Sequence, residues 1–93
     1  IARHELFCQL EDVVAAFAWL VRYGGKAALV HRPQRLADIF CLLRAHNLEP
    51  KRMQLVYPKP DGRANIVLVE AEKGAKPGLI TLPPYIVREG DTN

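Results

Sequence analysis

Apolar residues recur along this chain with two different periods, which predict helices and strands in alternation. From residue 10 to residue 23 they return at helical spacing, and Gly24 and Gly25 then supply the left-handed end that helices favour. The first turn carries Glu11 and Asp12, whose charges suit the positive end of a helix dipole. The opposite face is apolar as well, since it carries Ala15, Ala16, Ala18 and Trp19. We therefore expect this helix to be covered on more than one side.

The chain is organised around residues 25–33, where an apolar run from residue 27 to residue 30 lies between Gly25 and Pro33. A short continuous apolar run with helical periodicity before and after it predicts a strand buried on both faces of an α/β sheet. Pro33 suits the first turn of a second helix, and Asn47 suits its left-handed end. The apolar stripe of that helix is Leu36, Ile39, Phe40 and Leu43.

Two further strands are predicted as an antiparallel hairpin. Residues 53–57 alternate in the manner of a strand near a sheet edge, residues 58–62 form a turn, and residues 65–71 are almost continuously apolar. A right-handed crossover makes the strands near residues 27 and 54 parallel, and the more apolar third strand is expected to run between them. Residues 79–87 are interrupted by Pro83 and Pro84, which predicts an extended strap rather than a sheet strand.

The composition fits one small globular domain. Of the 93 residues, 49% are hydrophobic and 25% are charged, which excludes a disordered chain. No apolar run is long enough to span a membrane and no signal peptide is present, so we expect a cytoplasmic protein without a membrane partner. Cys8 and Cys41 lack the spacing of a zinc site and are expected to be reduced and buried. The chain begins with Ile1 and no strand precedes its first helix, which suggests a piece of a longer protein.

Charge and position single out candidate binding residues. The chain holds 13 Lys and Arg against 10 Asp and Glu, a net charge of +3, which is compatible with a polyanionic partner. His31 and Arg32 follow the first strand, at the end of an α/β sheet where ligands bind. The alternative is that this pair is a solvated strand end. Other basic residues at element ends or in loops are Arg35, Lys51, Arg52, Lys59 and Arg63.

An extended string of segments resembles one bacterial enzyme family over nearly the whole chain. The segments are ARHE at residues 2–5, LEDV at 10–13, GGKAALVHRPQRLADI at 24–39, LEPKRMQLVYPK at 48–59, ANIVLVEAEKG at 64–74 and PGLITLPPYIV at 77–87. They are similar to the C-terminal half of the S-adenosylmethionine-dependent tRNA adenine-amino methyltransferases, which modify the adenosine beside the anticodon of a valine tRNA. None of these segments is by itself a catalytic motif.

The resemblance implies the second half of a Rossmann-like class I methyltransferase domain. Residues 1–93 would form one unit, with residues 1–9 as the lead-in from the catalytic loop and residues 74–93 as a C-terminal strap. The family's cofactor site and its Asn-Pro-Pro-Tyr loop would lie upstream. The resemblance therefore implies no catalytic, cofactor-binding or metal residue in this chain, S-adenosylmethionine bound by the full-length protein only, and no activity of the chain alone. Leu82 lacks a side-chain acceptor, so residues 82–85 are expected to be structural.

The resemblance also implies roles for individual residues. The first candidates for lining the substrate cleft are Arg3, His4 and Glu5, because this segment closely follows the catalytic loop in the family; His31 and Arg32 come second. The candidates for contact with the tRNA backbone are Arg35, Lys51, Arg52, Lys59 and Arg63. The alternative function is a stand-alone α/β module that binds RNA or another partner without catalysis.

Self-association is expected from the same reasoning. In the complete fold the strand at residues 26–31 would have a parallel neighbour on its outer side, and here that neighbour is missing. An apolar edge with unpaired backbone groups readily pairs with another chain. The chain is therefore predicted to form a two-fold homodimer, through this strand or through the doubly apolar first helix.

Overall fold

A computed structural model describes residues 10–87 of the chain as two helices and five strands. The helices are α1 (Leu10–Leu20) and α2 (Leu36–Ala45), and a 3-10 turn at Pro33–Arg35 precedes α2. The strands are β1 (Lys26–His31), β2 (Leu48–Tyr57), β3 (Ile66–Lys73), β4 (Ile80–Thr81) and β5 (Tyr85–Ile86). The order of helix, strand, helix, strand, strand predicted from the sequence is confirmed.

Asn47 adopts positive φ just after the end of α2, as the sequence predicts, whereas the glycine predicted to end the first helix lies in a turn beyond the end of α1. Gly24 follows α1 with a φ of 83°, and Asn47 follows α2 with a φ of 66°. Helix α1 ends at Leu20, earlier than the predicted residue 23, because the chain already turns at residues 21–25. In that turn the Gly24 N–H donates to the carbonyl of Lys73 at 2.9 Å, which ties the turn to the end of β3.

The five strands form one mixed sheet with β3 inserted between β1 and β2. Strand β3 pairs antiparallel with β1, from Lys26 opposite Glu72 to His31 opposite Val67. It also pairs antiparallel with β2, so β1 and β2 are parallel to each other. This confirms the topology expected from the short hairpin connection and from the apolar character of β3.

Strand β2 is longer than the alternation of residues 53–57 predicts, because it begins at Leu48. It contains Pro50, which has no backbone N–H to give to a neighbouring strand. The register against β3 shifts between Pro50 and Arg52, and an extra residue at such a bulge accommodates a proline.

The strap also pairs with the sheet, which corrects the expectation that residues 79–87 form no strand. Strands β4 and β5 are parallel to β2, with Ile80 opposite Arg52 and Tyr85 opposite Val56. Pro83 and Pro84 stand between them and limit each to two residues, since proline cannot donate to a ladder. The strap therefore covers the outer edge of β2.

The hydrophobic core lies on one face of the sheet, beneath both helices. The fully buried side chains of the helices are Val14, Ile39 and Leu43, and they pack with Val67, Val69, Ala71, Met53 and Leu48 from the sheet. The opposite face of β1 is open, with Val30 62% exposed. The expectation that β1 is buried on both faces is wrong for residues 10–87, because both helices pack on the same side.

The outer surface of α1 is likewise open. Trp19 is 86% exposed and Leu20 is 76% exposed, whereas Val14 on the inner side is fully buried. Cys41 lies on the exposed side of α2, so the expectation of a buried thiol is wrong at this position; Cys8 lies outside the described residues. Neither of the two helices is long and apolar enough to cross a membrane.

Candidate functional site

The carboxyl ends of β1 and β2 meet at one edge of the sheet, because the two strands are parallel. This edge, called the carboxyl edge below, consists of residues 31–35, from the end of β1 to the residue before α2, and residues 57–66, from the end of β2 to the start of β3. Helix α1 runs back from this edge, and its first residue, Leu10, lines a surface depression together with Arg35 and Asp38. In α/β sheets the carboxyl ends of the strands are where ligands bind.

His31 is held in a defined tautomer at this edge. Its Nδ1 accepts a hydrogen bond from the backbone N–H of Arg32 at 2.8 Å. A neutral imidazole whose Nδ1 accepts carries its proton on Nε2. The ring therefore offers an N–H donor, which is suited to a phosphate oxygen or to an acceptor atom of a base.

Four basic residues lie along the carboxyl edge together with His31. Arg32 and Arg35 lie in the connection from β1 to α2, and Lys59 and Arg63 lie in the hairpin loop between β2 and β3. All four residues are exposed. Arg35 donates from Nε to Asp38 Oδ2 at 2.8 Å, and both side chains remain about half exposed or more, so this surface pair leaves the guanidinium accessible.

Lys51 and Arg52 are placed away from this edge, in the amino-terminal half of β2. Lys51 donates from Nζ to the carbonyl of Lys76 at 2.8 Å, so it anchors the loop that leads into the strap. Arg52 approaches Glu70 of β3 at 3.8 Å on the open face of the sheet. The structure thus divides the basic residues singled out from the sequence into four at the carboxyl edge and two engaged elsewhere. A role in contacting nucleic acid stays a prediction for all of them.

The remaining sequence candidates, Arg3, His4 and Glu5, lie outside the described residues. The chain enters the described fold at Leu10, next to Arg35, and therefore at the carboxyl edge. The prediction that this segment lines a substrate cleft stays open.

Sequence reasoning missed a second polar feature, between α2 and β2. The Arg44 guanidinium donates to both carboxylate oxygens of Glu49, at 3.1 Å and 2.8 Å. The hydrogen bonds and the charge of Glu49 raise the pKa of Arg44 above its usual value. These residues border an apolar depression of about 570 Å³ whose wall includes Phe40, Cys41 and Leu79. The sequence gives only a weak signal for this depression, because Leu79 belongs to the strap and comes close to α2 only when the strap folds back along the sheet.

The described residues do not fit S-adenosylmethionine. The chemistry of that cofactor calls for a glycine-rich turn after a strand, where the backbone can approach the ligand closely. Here β1 ends at His31 and is followed by Arg32-Pro33, with side chains at every position, and β2 is followed by Pro58. Within residues 10–87 no group of His, Cys, Asp and Glu side chains could hold a metal ion.

The mixed sheet, with an antiparallel strand inserted between two parallel ones and both helices on one face, has the arrangement found in a Rossmann-like methyltransferase fold. A solved structure confirms this class. The chain is similar to the crystal structure of a predicted O-methyltransferase from Agrobacterium tumefaciens, with a TM-score of 0.75 and 28% sequence identity. The similarity covers 83% of this chain and 36% of that one, so the chain spans about a third of the length of that protein. No protein-family model and no curated protein matches the sequence.

Proposed function

We propose that this chain is part of an S-adenosylmethionine-dependent methyltransferase that acts on the exocyclic amino group of an adenine in tRNA. The observation that carries the proposal is the carboxyl edge itself, where exposed basic side chains stand on a methyltransferase fold. Within such an enzyme, the described residues hold the RNA, and the cofactor is bound by residues outside them. The substrate class rests on the resemblance described above and on the charge of this edge.

The chemistry of the edge suits an RNA backbone. Arg32, Arg35, Lys59 and Arg63 offer guanidinium and ammonium donors to phosphate oxygens, and an arginine can bind two such oxygens at once. The Nε2–H of His31 is fixed as a further donor by the bond to Nδ1. Arg3, His4 and Glu5 are proposed to extend the same surface toward the substrate cleft.

A second candidate function is methyl transfer to an oxygen acceptor. It is favoured by one observation, the description of the similar solved structure as a predicted O-methyltransferase. The two candidates share the fold and the cofactor and differ in the acceptor atom, so a product analysis separates them.

The test uses the longer gene product that contains these residues, supplied with S-adenosylmethionine carrying a labelled methyl group. One reaction contains total tRNA and another contains small hydroxylated acceptors. We expect label in tRNA, recovered after nuclease digestion as N6-methyladenosine in mass spectrometry. Label in the hydroxylated acceptors alone would favour the second candidate. RNA binding without any S-adenosylmethionine binding would instead favour the stand-alone module.

Charge-removal variants test whether the carboxyl edge holds the RNA. We expect the double variant Arg32→Ala/Arg63→Ala to lower kcat/KM for tRNA about tenfold. The slope of the logarithm of the tRNA binding constant against the logarithm of the salt concentration should also become shallower, by about two units. The control is Arg22→Ala, which removes one exposed charge near the opposite end of β1. Equal effects of the double variant and the control would contradict a specific role for this edge.

A further inference from the structure

Tyr85 is an exposed aromatic residue that adjoins the carboxyl edge. Strand β5 is parallel to β2, so its carboxyl end lies at the same side of the sheet as the carboxyl ends of β1 and β2. Tyr85 lies opposite Val56, one residue before the end of β2, and it is 46% exposed. The hairpin loop with Lys59 and Arg63 begins directly after β2. Tyr85 therefore lies beside basic residues that are proposed to hold RNA.

The register of β5 puts the Tyr85 ring on the open face of the sheet. In β2, Met53 is buried and Leu55 packs against the core, so both side chains point toward the helices. Side chains alternate along a strand, so Val56 points to the opposite face. Tyr85 is aligned with Val56 and shares that face. The ring is therefore turned away from the hydrophobic core.

The backbone on both sides of Tyr85 is fixed to β2. Three hydrogen bonds of 2.8–2.9 Å join the strap to this strand: Leu82 N–H to the Met53 carbonyl, Gln54 Nε2 to the Pro83 carbonyl, and Val87 N–H to the Tyr57 carbonyl. These bonds suit the structural role that the sequence predicts for residues 82–85, but they do not involve the exposed ring. A tyrosine has only two side-chain torsions, so a ring on such a backbone loses little conformational entropy when it binds.

We propose that Tyr85 stacks on the base of an unpaired nucleotide, so that the carboxyl edge takes single-stranded rather than duplex RNA. This inference rests on the function proposed above and deepens it. Proteins that bind single strands combine basic groups for the backbone with aromatic rings on which bases stack. The cations of the edge can bind the phosphates of either form. A ring can stack only on a base whose face is uncovered, and inside a duplex the neighbouring bases cover both faces.

The position of Tyr85 separates it from the adenine that is methylated. Under the proposed function the cofactor is held outside the described residues, and the resemblance places the adjoining strand of the complete fold beside β1. From β1 to β5 the sheet passes through β3 and β2, and three spacings of about 4.8 Å make about 14 Å. Tyr85 lies at the far side of the sheet from that strand, so its exposure does not depend on it. The ring therefore holds a nucleotide near the target and not the target base.

A binding test uses the longer gene product, with a short oligoadenylate as the unpaired probe and a duplex of the same length as the paired one. We expect Tyr85→Leu to bind oligoadenylate about tenfold more weakly, because a stacked base is lost, and to bind the duplex as the parent does. Tyr85→Phe keeps the ring and should match the parent on both probes. Ile80→Ala, which truncates another exposed residue of the strap, is the control and should also match the parent.

The salt dependence distinguishes stacking from charge. Tyr85→Leu removes no cation, so the slope of the logarithm of the binding constant against the logarithm of the salt concentration should stay that of the parent. The double variant Arg32→Ala/Arg63→Ala should make the same slope shallower. Circular dichroism checks that each variant is folded. The proposal is wrong if folded Tyr85→Leu binds oligoadenylate as tightly as the parent, if it weakens duplex binding equally, or if Tyr85→Phe is as weak as Tyr85→Leu.

The same measurements separate this inference from the proposed function. If the parent methylates tRNA and Tyr85→Leu leaves oligoadenylate binding unchanged, stacking is wrong and the proposed function stands. If the parent binds oligoadenylate through Tyr85 but transfers label only to hydroxylated acceptors, stacking holds and the proposed methyl acceptor is wrong. A longer gene product that binds neither probe contradicts both.

Discussion

Asn47 is the one non-glycine residue between positions 10 and 87 that adopts positive φ, and it is held there by a long-range contact. Its Nδ2 donates to the hydroxyl of Tyr23 at 2.9 Å. The Tyr23 ring also lies beneath the Lys73 ammonium, 5.1 Å from the ring centroid, and Lys73 Nζ donates to the carbonyl of Ala18 near the end of α1. These residues join the turn after α1, the turn after α2 and the end of β3.

At the residue scale, replacing Asn47 separates the cost of its backbone conformation from that of its side chain. Asn47→Ala loses the bond to Tyr23 and also the short polar side chain by which asparagine tolerates positive φ, so we expect a loss of about 1.5–3 kcal/mol in the free energy of unfolding. Asn47→Gly loses the bond as well, but glycine adopts positive φ without strain, so it is expected to cost only about 1 kcal/mol. Urea unfolding measures both.

The control for this comparison is Tyr23→Phe, which removes the same hydrogen bond from the other side. Its cost is expected to match that of Asn47→Gly. Equal stability of Asn47→Ala and Asn47→Gly would show that the positive φ carries no strain.

At the scale of elements, two glycines with the same backbone conformation play different roles. Gly24 and Gly74 have φ values of 83° and 78°. A Cβ added at Gly24 would have no heavy atom within 4 Å, whereas one at Gly74 would meet Tyr23 Cδ2 at 2.6 Å. Gly24 therefore serves only the turn after α1, and Gly74 also lets that turn pack against the end of β3.

Substituting alanine at the two positions distinguishes these roles. Gly24→Ala is expected to lower the free energy of unfolding by about 1–2 kcal/mol, the cost of a side chain in the left-handed region. Gly74→Ala is expected to cost at least 1 kcal/mol more, because overpacking against the ring is added. Thermal unfolding of both variants tests this.

Removing the ring provides the control. In a Tyr23→Ala background the extra cost of Gly74→Ala over Gly24→Ala should disappear. If the difference persists without the ring, close packing against Tyr23 is not its cause.

The sequence predicted those elements whose signals are local. The glycines after α1, Pro33 before α2 and the apolar run of β3 each act through neighbouring residues, and the strand order followed from the short hairpin. What it missed depends on distant contacts. The strap joins the sheet only because backbone groups of β2 are free on its outer side, and Leu82 reaches the Met53 carbonyl there.

The candidate site was predictable to a similar degree. The position of His31 and Arg32 at the carboxyl end of β1 followed from the apolar run and from Pro33, which limits the strand. The division of the basic residues did not, because Lys51 is engaged by the Lys76 carbonyl, a partner 25 positions away. Charge alone gives no indication of such a partner.

At the scale of the whole molecule, the chain is expected to bind no S-adenosylmethionine by itself. The described residues lack the glycine-rich turn that such a ligand needs, and in the function proposed above that turn belongs to a longer gene product. Isothermal calorimetry with the 93-residue chain should show no heat of binding beyond dilution, whereas the longer gene product should bind. Micromolar binding to the 93 residues would show that they hold a cofactor site of their own and would contradict this expectation.

The path of the chain has a practical consequence for binding measurements. Leu10 begins α1 beside Arg35, and the Val87 N–H donates to the carbonyl of Tyr57 at 2.9 Å, so the described fold is entered and left at the carboxyl edge. A fusion partner joined directly before Leu10 or directly after Val87 is therefore attached next to the basic side chains proposed to hold RNA. Anchoring the protein to a sensor surface through such a fusion partner would turn that edge toward the support. Assays of this chain should immobilise the RNA and leave the protein free in solution.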